Sequence, residues 1–267
     1  MLKWLAIVSA AISGVLFAVG AVSEIYMLPV VFILSFAAIF LCFLLSCVIC
    51  TCFVNTEKPL RKQNPIFRFY SHCILGLIKE LFRIKLHVSG MEKLPKEKFL
   101  LVGNHRSNFD PILTMDALDQ KIGFVAKKSL FEYPILKKLL HEKFCLPLDR
   151  SSKRKGLETC LKAAEYIKSG TISMAIYPEG TTDTENKLLP FKKGAFRIAQ
   201  KAKCPIVVAV IKNSENIPKN APFKKTHVYL DIIGVLDSEF VSNAKTEQIS
   251  DVVKEMIEND FQLSPKH

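Results

Sequence analysis

The sequence predicts an α/β fold: a mixed, largely parallel sheet covered by helices, preceded by an N-terminal hydrophobic helical hairpin and an amphipathic connector helix. Three observations predict it. Between residues 4 and 54 the only formal charge is Glu24, so the chain reads as two apolar runs broken at Ser23-Glu24. Between Ile66 and Phe82, apolar and basic residues interleave. From Ile84 onward short apolar runs alternate with helical patterns, which favours a sheet with helices on its faces.

The apolar runs, residues 4–22 and 25–53, are each near or above the ~20 residues a helix needs to cross a bilayer. Residues 1–54 therefore form the expected membrane hairpin, with Pro29 near the start of its second helix. Ser9, Ala10, Ser13 and Gly14 are small enough to let the first helix approach its neighbour. Two alternatives stay open. Lys3 followed by an apolar stretch ending at Ala18-Val19-Gly20-Ala21 also fits a cleaved secretory signal. Glu24 at the turn also fits a hairpin that dips only to headgroup depth.

Residues 55–83 form the basic connector. Lys58, Arg61, Lys62 and Arg68 closely follow the second run, and the positive-inside rule then puts the rest of the chain on the cytoplasmic side of a cell membrane. Phe67, Phe69, Tyr70, Ile74, Leu77, Ile78 and Leu81 suit either a membrane surface or the core of the following domain.

Residues 84–267 form the expected α/β domain. Strands are predicted at 84–88, 99–102, 122–126, 171–177, 206–211 and 228–235. Helices are predicted at 111–118, 134–141, 152–168, 193–203 and 245–259. In the last, Ile249, Val252, Val253, Met256 and Ile257 recur at the spacing of one helical face. Ser169-Gly170 reads as a helix stop. Residues 213–225, with Pro218 and Pro222, read as a surface loop.

At 267 residues, 49% hydrophobic, the chain is long enough for one good-sized domain plus an added module. A formal net charge of +12 suits a domain resting on anionic lipid or handling anionic substrates. No recognisable nucleic-acid module accompanies that charge, so nucleic acid is not an expected partner. The eight cysteines form no framework. Cys42, Cys47, Cys50 and Cys52 lie in or beside the second apolar run, and the other four are scattered, as in a reducing compartment. No histidine has metal-ligand spacing, so no metal is expected.

The segment Asn104-His105-Arg106-Ser107-Asn108-Phe109-Asp110 carries a base and a carboxylate. An imidazole is the side chain whose ordinary pKa lies nearest neutrality, which suits it to taking a proton from a hydroxyl. In a continuous helix, residues five apart point about 140° away from each other. His105 and Asp110 can therefore meet only if Ser107-Asn108 turn the chain, with Pro111 opening the next helix. The plainer alternative makes Asp110 a helix cap and His105 an ordinary loop residue.

His105-x-x-x-x-Asp110 is followed in order by Leu148-Asp149-Arg150, Tyr177-Pro178-Glu179-Gly180-Thr181 and Cys204-Pro205-Ile206-Val207. Four blocks in this order resemble those of the glycerolipid acyltransferase family, over about residues 88–210. The similarity also takes in Pro190-Phe191-Lys192-Lys193-Gly194-Ala195. The resemblance implies transfer of a fatty acyl group from acyl-CoA or acyl-acyl carrier protein to the free hydroxyl of 1-acylglycerol-3-phosphate, giving phosphatidic acid in phospholipid biosynthesis. It requires no cofactor beyond that thioester co-substrate. It makes His105 and Asp110 the catalytic pair and Arg150, Glu179, Gly180 and Thr181 substrate-binding. A guanidinium offers phosphate a planar fork of donors. The alternative for Arg150 is a surface salt bridge with Asp149 or Glu158. Gly180 allows close backbone approach, turn N–H groups there suit an anion, and Glu179 is expected to orient the arginine or the glycerol hydroxyl. Thr182 stands where the family commonly has arginine, which leaves Lys187, Lys192 or Lys193 to replace it and another lyso-lipid acceptor open. Arg106 stands where glutamine is frequent, and is expected to contact an anionic group or face solvent. An acyl-thioester hydrolase is the remaining alternative.

Overall fold

The computed structural model describes residues 1–22, 24–182 and 188–263; Ser23, at the predicted break, and Lys187 lie outside them. Two apolar helices come first, α1 (Leu2–Ala18) and α2 (Leu28–Cys52), packed against each other. The first is shorter than its apolar run suggested, because Val19 and Gly20 leave helical geometry at its C-terminal end. Residues 25–52 are long and apolar enough to cross a membrane. Trp4, Ile33, Leu34 and Phe53 point apolar side chains outward, as lipid-facing residues do. Of the four small residues expected in the helix contact, Ser9 and Ser13 are buried, with each hydroxyl bonded to a carbonyl one turn earlier. Ala10 and Gly14 are exposed, because each lies about 100° further round the same helix.

Helix α3 (Pro65–Leu81) is capped by Asn64, whose side chain accepts the Ile66 N–H. It crosses the base of the hairpin. Tyr70 donates to Ser46 of α2 at 2.8 Å, and Glu80 lies 3.5 Å from the amino group of Met1. Its apolar residues divide between burial and exposure: Phe67 and Leu75 are buried, while Ile66 and Phe69 face outward.

The rest of the chain alternates β1 (Ile84–Ser89), β2 (Leu100–Gly103), α4 (Asp110–Ala117), β3 (Ile122–Lys127), α5 (Pro134–Glu142), β4 (Leu146–Leu148), α6 (Lys153–Lys168) and β5 (Ser173–Ile176). It continues with α7 (Arg197–Ala202), β6 (Ile206–Lys212), α8 (Ile217–Asn220), β7 (Thr226–Leu236), α9 (Ser238–Asn243) and α10 (Thr246–Leu263). The strands form one seven-stranded sheet in the order β1-β7-β6-β2-β5-β3-β4. All pairs are parallel except β6 with β7, so the sheet is mixed and largely parallel. Helices cover both faces. Leu100 and Val102 pack toward α6, α7 and α10, and Leu101 toward α3 and α4. That alternation explains why the central strands read as unbroken apolar runs: both faces are dry.

Two readings are corrected. Edge strand β4 was not predicted; three residues with Pro147 in the middle carry too little pattern, and a missing N–H is tolerated only at an edge. Residues 213–225 are more than a surface loop. They hold a 3₁₀ turn at Ser214–Asn216 and α8, and Ser214 and Ile217 are fully buried. Ile217 fills the core behind α4, so the two prolines follow a packed segment.

Candidate functional site

Strands β2, β3, β4, β5 and β6 run in one direction, so the loops after β2, β4, β5 and β6 leave from one end of the sheet. Ligands of parallel sheets bind outside such carboxyl ends. His105 follows β2, Arg150 follows β4, Glu179 and Gly180 follow β5, and Ser214 and Glu215 follow β6.

The loop after β2 is clamped first. Asn104 is fully buried, donating Nδ2 to the Ile211 carbonyl and accepting the Ile211 N–H, both at 2.8 Å. It thus continues the β2–β6 ladder through a side chain and fixes where His105 begins. The chain then turns, as the spacing requires. His105 Nδ1 lies 2.9 Å from Asp110 Oδ2. The same oxygen accepts the N–H groups of Arg106 at 2.6 Å and Ser107 at 2.7 Å, and Oδ1 accepts the Ser214 hydroxyl at 2.5 Å. Asp110 is fully buried. Its carboxylate bonds to N–H groups that precede α4, so it folds the loop back and does not cap the helix.

With a carboxylate accepting at Nδ1, the imidazole is held with its proton there and its Nε2 lone pair free for a substrate. The side chain of His105 is 16% exposed, enough for approach from one side. On the other side its ring stacks on Tyr177, centroids 4.6 Å apart and planes 11° from parallel. The Tyr177 hydroxyl lies 2.9 Å from Thr114 Oγ1. Burial, then the charge of Asp110, pushes the phenol well above its ordinary pKa, so this platform stays neutral.

Glu179 is buried and acts on the backbone. One oxygen accepts the His105 N–H at 2.7 Å, and the other accepts the Leu189 N–H at 2.9 Å. This carboxylate ties the loop after β5 to the His105 loop. Gly180 has φ +75°, a left-handed conformation that a side chain disfavours. Its N–H is used inside the turn, on the Tyr177 carbonyl at 3.1 Å, so it adds nothing to an anion cradle. Arg150 lies beside it: a Cβ there would be 3.6 Å from the guanidinium carbon, an ordinary contact.

Arg150 is exposed, and among the described residues no carboxylate pairs with it. Asp149 is taken by Lys128 at 3.0 Å and by Ser151, whose hydroxyl bond leads the lowering of its pKa. Glu158 is taken by Arg154 at 3.2 Å. Thr181 is exposed beside this turn. Of the lysines named as replacements for arginine at Thr182, Lys193 lies 3.6 Å from Glu247, and the Lys192 N–H bonds to the Pro178 carbonyl.

Of the two readings of Arg106, contact with an anionic group holds, and the group is a carboxylate of this chain. The arginine is buried and paired with Glu215 at 3.0 Å, both side chains largely shielded. The pair locks the His105 loop to the loop after β6. At the end of α5, burial pushes the pKa of His141 down. Sequence reasoning missed Ser214 and Glu215. The usable signal was topological, since polar residues just past a buried strand sit at the same sheet end as His105.

Residues 85–212 match the acyltransferase family model. The 1-acyl-sn-glycerol-3-phosphate acyltransferase of Saccharomyces cerevisiae is 28% identical over 200 residues, covering 73% of this chain and 66% of that protein. The protein of the same name from Limnanthes alba is 31% identical, covering 53% of this chain and 50% of its own length. The one from Haemophilus influenzae is 29% identical, covering 64% and 72%. The chain thus spans about half to two thirds of the yeast and plant relatives. The crystal structure of the 1-acyl-sn-glycerophosphate acyltransferase PlsC from Thermotoga maritima superimposes over the whole of both chains, with a TM-score of 0.62 at 19% identity. That likeness is one of fold.

Proposed function

We propose that this chain, whose residues 85–212 match the acyltransferase family model, acylates 1-acylglycerol-3-phosphate from an acyl thioester, giving phosphatidic acid. The carrying observation is the His105–Asp110 pair, held by two backbone N–H groups and Ser214 at the sheet end where Arg150 stands open.

In this reading the acceptor's free hydroxyl lies against Nε2 of His105. As its oxygen attacks the thioester carbonyl, the proton passes to Nε2. Asp110 stabilises the imidazolium that forms, and the platform of Tyr177 keeps the ring in plane. The tetrahedral adduct collapses with cleavage of the C–S bond. The thiolate leaves with the proton from Nε2, so His105 returns to its starting state. No side chain is acylated, because the acceptor is itself the nucleophile. Arg150 holds the acceptor phosphate, and positioning of two lipid substrates supplies much of the remaining rate. The donor is acyl-CoA or acyl-acyl carrier protein. Lys58, Arg61, Lys62 and Arg68 after α2 support a cytoplasmic location for the site.

The test is product analysis of reconstituted protein given a labelled acyl thioester and a panel of lyso-lipids. Phosphatidic acid is the expected product. His105→Ala should lower its formation about 10²–10⁴-fold. Arg150→Ala should raise KM for phosphate-bearing acceptors. Thiol release that is independent of acceptor would instead support a hydrolase, and full activity in His105→Ala would refute the mechanism.

A further inference from the structure

The chain has an exposed surface, apart from the hairpin, whose chemistry is that of a membrane contact. Where α3 passes into β1, a cleft of about 850 Å³ is lined by Lys79, Arg83, Lys85, Val88 and Lys225. The acids there are already engaged: Glu80 by the N-terminal amino group at 3.5 Å, and Asp116 by Lys79 at 2.5 Å. Arg83, Lys85, Lys224 and Lys225 are exposed and have no ion pair among the described residues. Arg83 donates Nη1 to the carbonyl oxygen of Phe223 at 2.9 Å. That bond anchors a phenyl ring that is 85% exposed in the midst of the cations. An isolated exposed aromatic ringed by bases is unfavourable in water and favourable at a bilayer surface. A phenyl ring enters the boundary between headgroups and acyl chains, and bases are drawn to an anionic leaflet.

Position gives the patch a use. Strands β1 and β7 begin where β6 ends, since Ile84 pairs with Thr226 and Tyr229 with Lys212. The patch therefore lies at the end of the sheet that carries the His105 and Ser214 loops. It is also continuous with the hairpin, because Glu80 both lines the cleft and holds the start of α1.

We infer that Arg83, Lys85, Lys225 and Phe223 dock the site-bearing end of the sheet on an anionic bilayer, as a lipid contact separate from the hairpin. This rests on the hairpin's place in lipid and is independent of the acyl-transfer reading. A lipid acceptor then reaches His105 from the bilayer side, without crossing water.

Trp4 is the only tryptophan, so the full-length Trp4→Phe, Phe223→Trp protein carries one reporter at the patch. It is reconstituted in phosphatidylcholine vesicles with and without phosphatidylglycerol. With phosphatidylglycerol, emission should shift to the blue and be quenched by lipids brominated near the headgroup end of the acyl chain. Adding Lys85→Glu and Lys225→Glu should reverse both effects. Water-like, unquenched emission in anionic vesicles would overturn the inference. In a second arm, Lys85→Glu with Lys225→Glu should reduce acylation of a vesicle-embedded acceptor several-fold and spare a water-soluble short-chain one. An equal loss on both acceptors would also overturn it. A wild type inactive on every acceptor would count against the proposed reaction, while the fluorescence would still decide the contact.

Discussion

Replacing Asp110 by asparagine separates the charge of the His105–Asp110 pair from its shape. Oδ2 accepts three N–H donors, from His105, Arg106 and Ser107, and Oδ1 accepts the Ser214 hydroxyl. An amide can keep its oxygen toward the three N–H groups and turn its NH₂ to Ser214, whose hydroxyl can accept as well as donate. The loop should keep its course, with stability falling by about 1–3 kcal/mol as charged hydrogen bonds become neutral ones. The larger effect is on the imidazolium that forms when His105 takes the proton. Two unit charges about 4 Å apart attract by ~4 kcal/mol at an effective dielectric constant of ~20. The His105 side chain is 16% exposed, so water screens part of that. Roughly 2–3 kcal/mol should be lost, a fall in kcat of about 30- to 150-fold. The loss should be smaller than that of His105→Ala, and KM for the lyso-lipid should be unchanged, because Asp110 is buried away from substrate. Steady-state acyl transfer and thermal unfolding on the same preparation provide the check. A kcat within threefold of wild type, at matched folded fraction, would mean that the charge of Asp110 does not support the base.

Ser214→Ala leaves the charge in place but strips Oδ1 of its donor; expect a loss of about 1–3 kcal/mol in unfolding free energy and a several-fold lower kcat, with unchanged values for both excluding Ser214 from the site. Gly180→Ala forces a side chain onto a backbone at φ +75° but meets Arg150 only at ordinary contact distance, so thermal unfolding should show a loss of roughly 1–2 kcal/mol while KM for phosphate-bearing acceptors stays near wild type; unchanged stability would refute the strain. Lys143 is buried with its ammonium on Gln120 at 2.6 Å, and burial pulls its pKa down to about 8. Between about 8 and the ordinary lysine value near 10.4, the unfolded chain binds more protons than the folded one, so this residue makes stability rise with pH across that window. Thermal melts from pH 7 to 10 should show that rise in the wild type relative to Lys143→Met, and parallel curves would refute the assignment.

The parts of the site that were legible in the sequence are those written locally. His105 and Asp110 lie five residues apart with turn formers between them, so one constraint, that the chain reverse, was enough to bring them together. The central strands were legible because burial on both faces forces unbroken apolar runs, as in 100–102 and 206–211. What was illegible depends on contacts that no short window contains. Ser214 reaches Asp110 from 104 residues away, and Glu215 reaches Arg106 from 109. Their segment was read as a surface loop because its prolines and lysines are conspicuous, while its buried residues are only Ser214 and Ile217. Glu179 was in the recognised block, yet its partners could not be inferred from its chemistry. A carboxylate beside a phosphate-binding arginine suggests a polar ligand, whereas here it receives the N–H of His105 itself. The consequence is a division of labour that spacing alone hides. Glu179, Asn104 and the Arg106–Glu215 pair hold the loop from three neighbouring strand ends, whereas His105 and Arg150 present open polar groups. Variants of the first group should therefore affect stability and kcat together, whereas variants of Arg150 should affect acceptor KM alone.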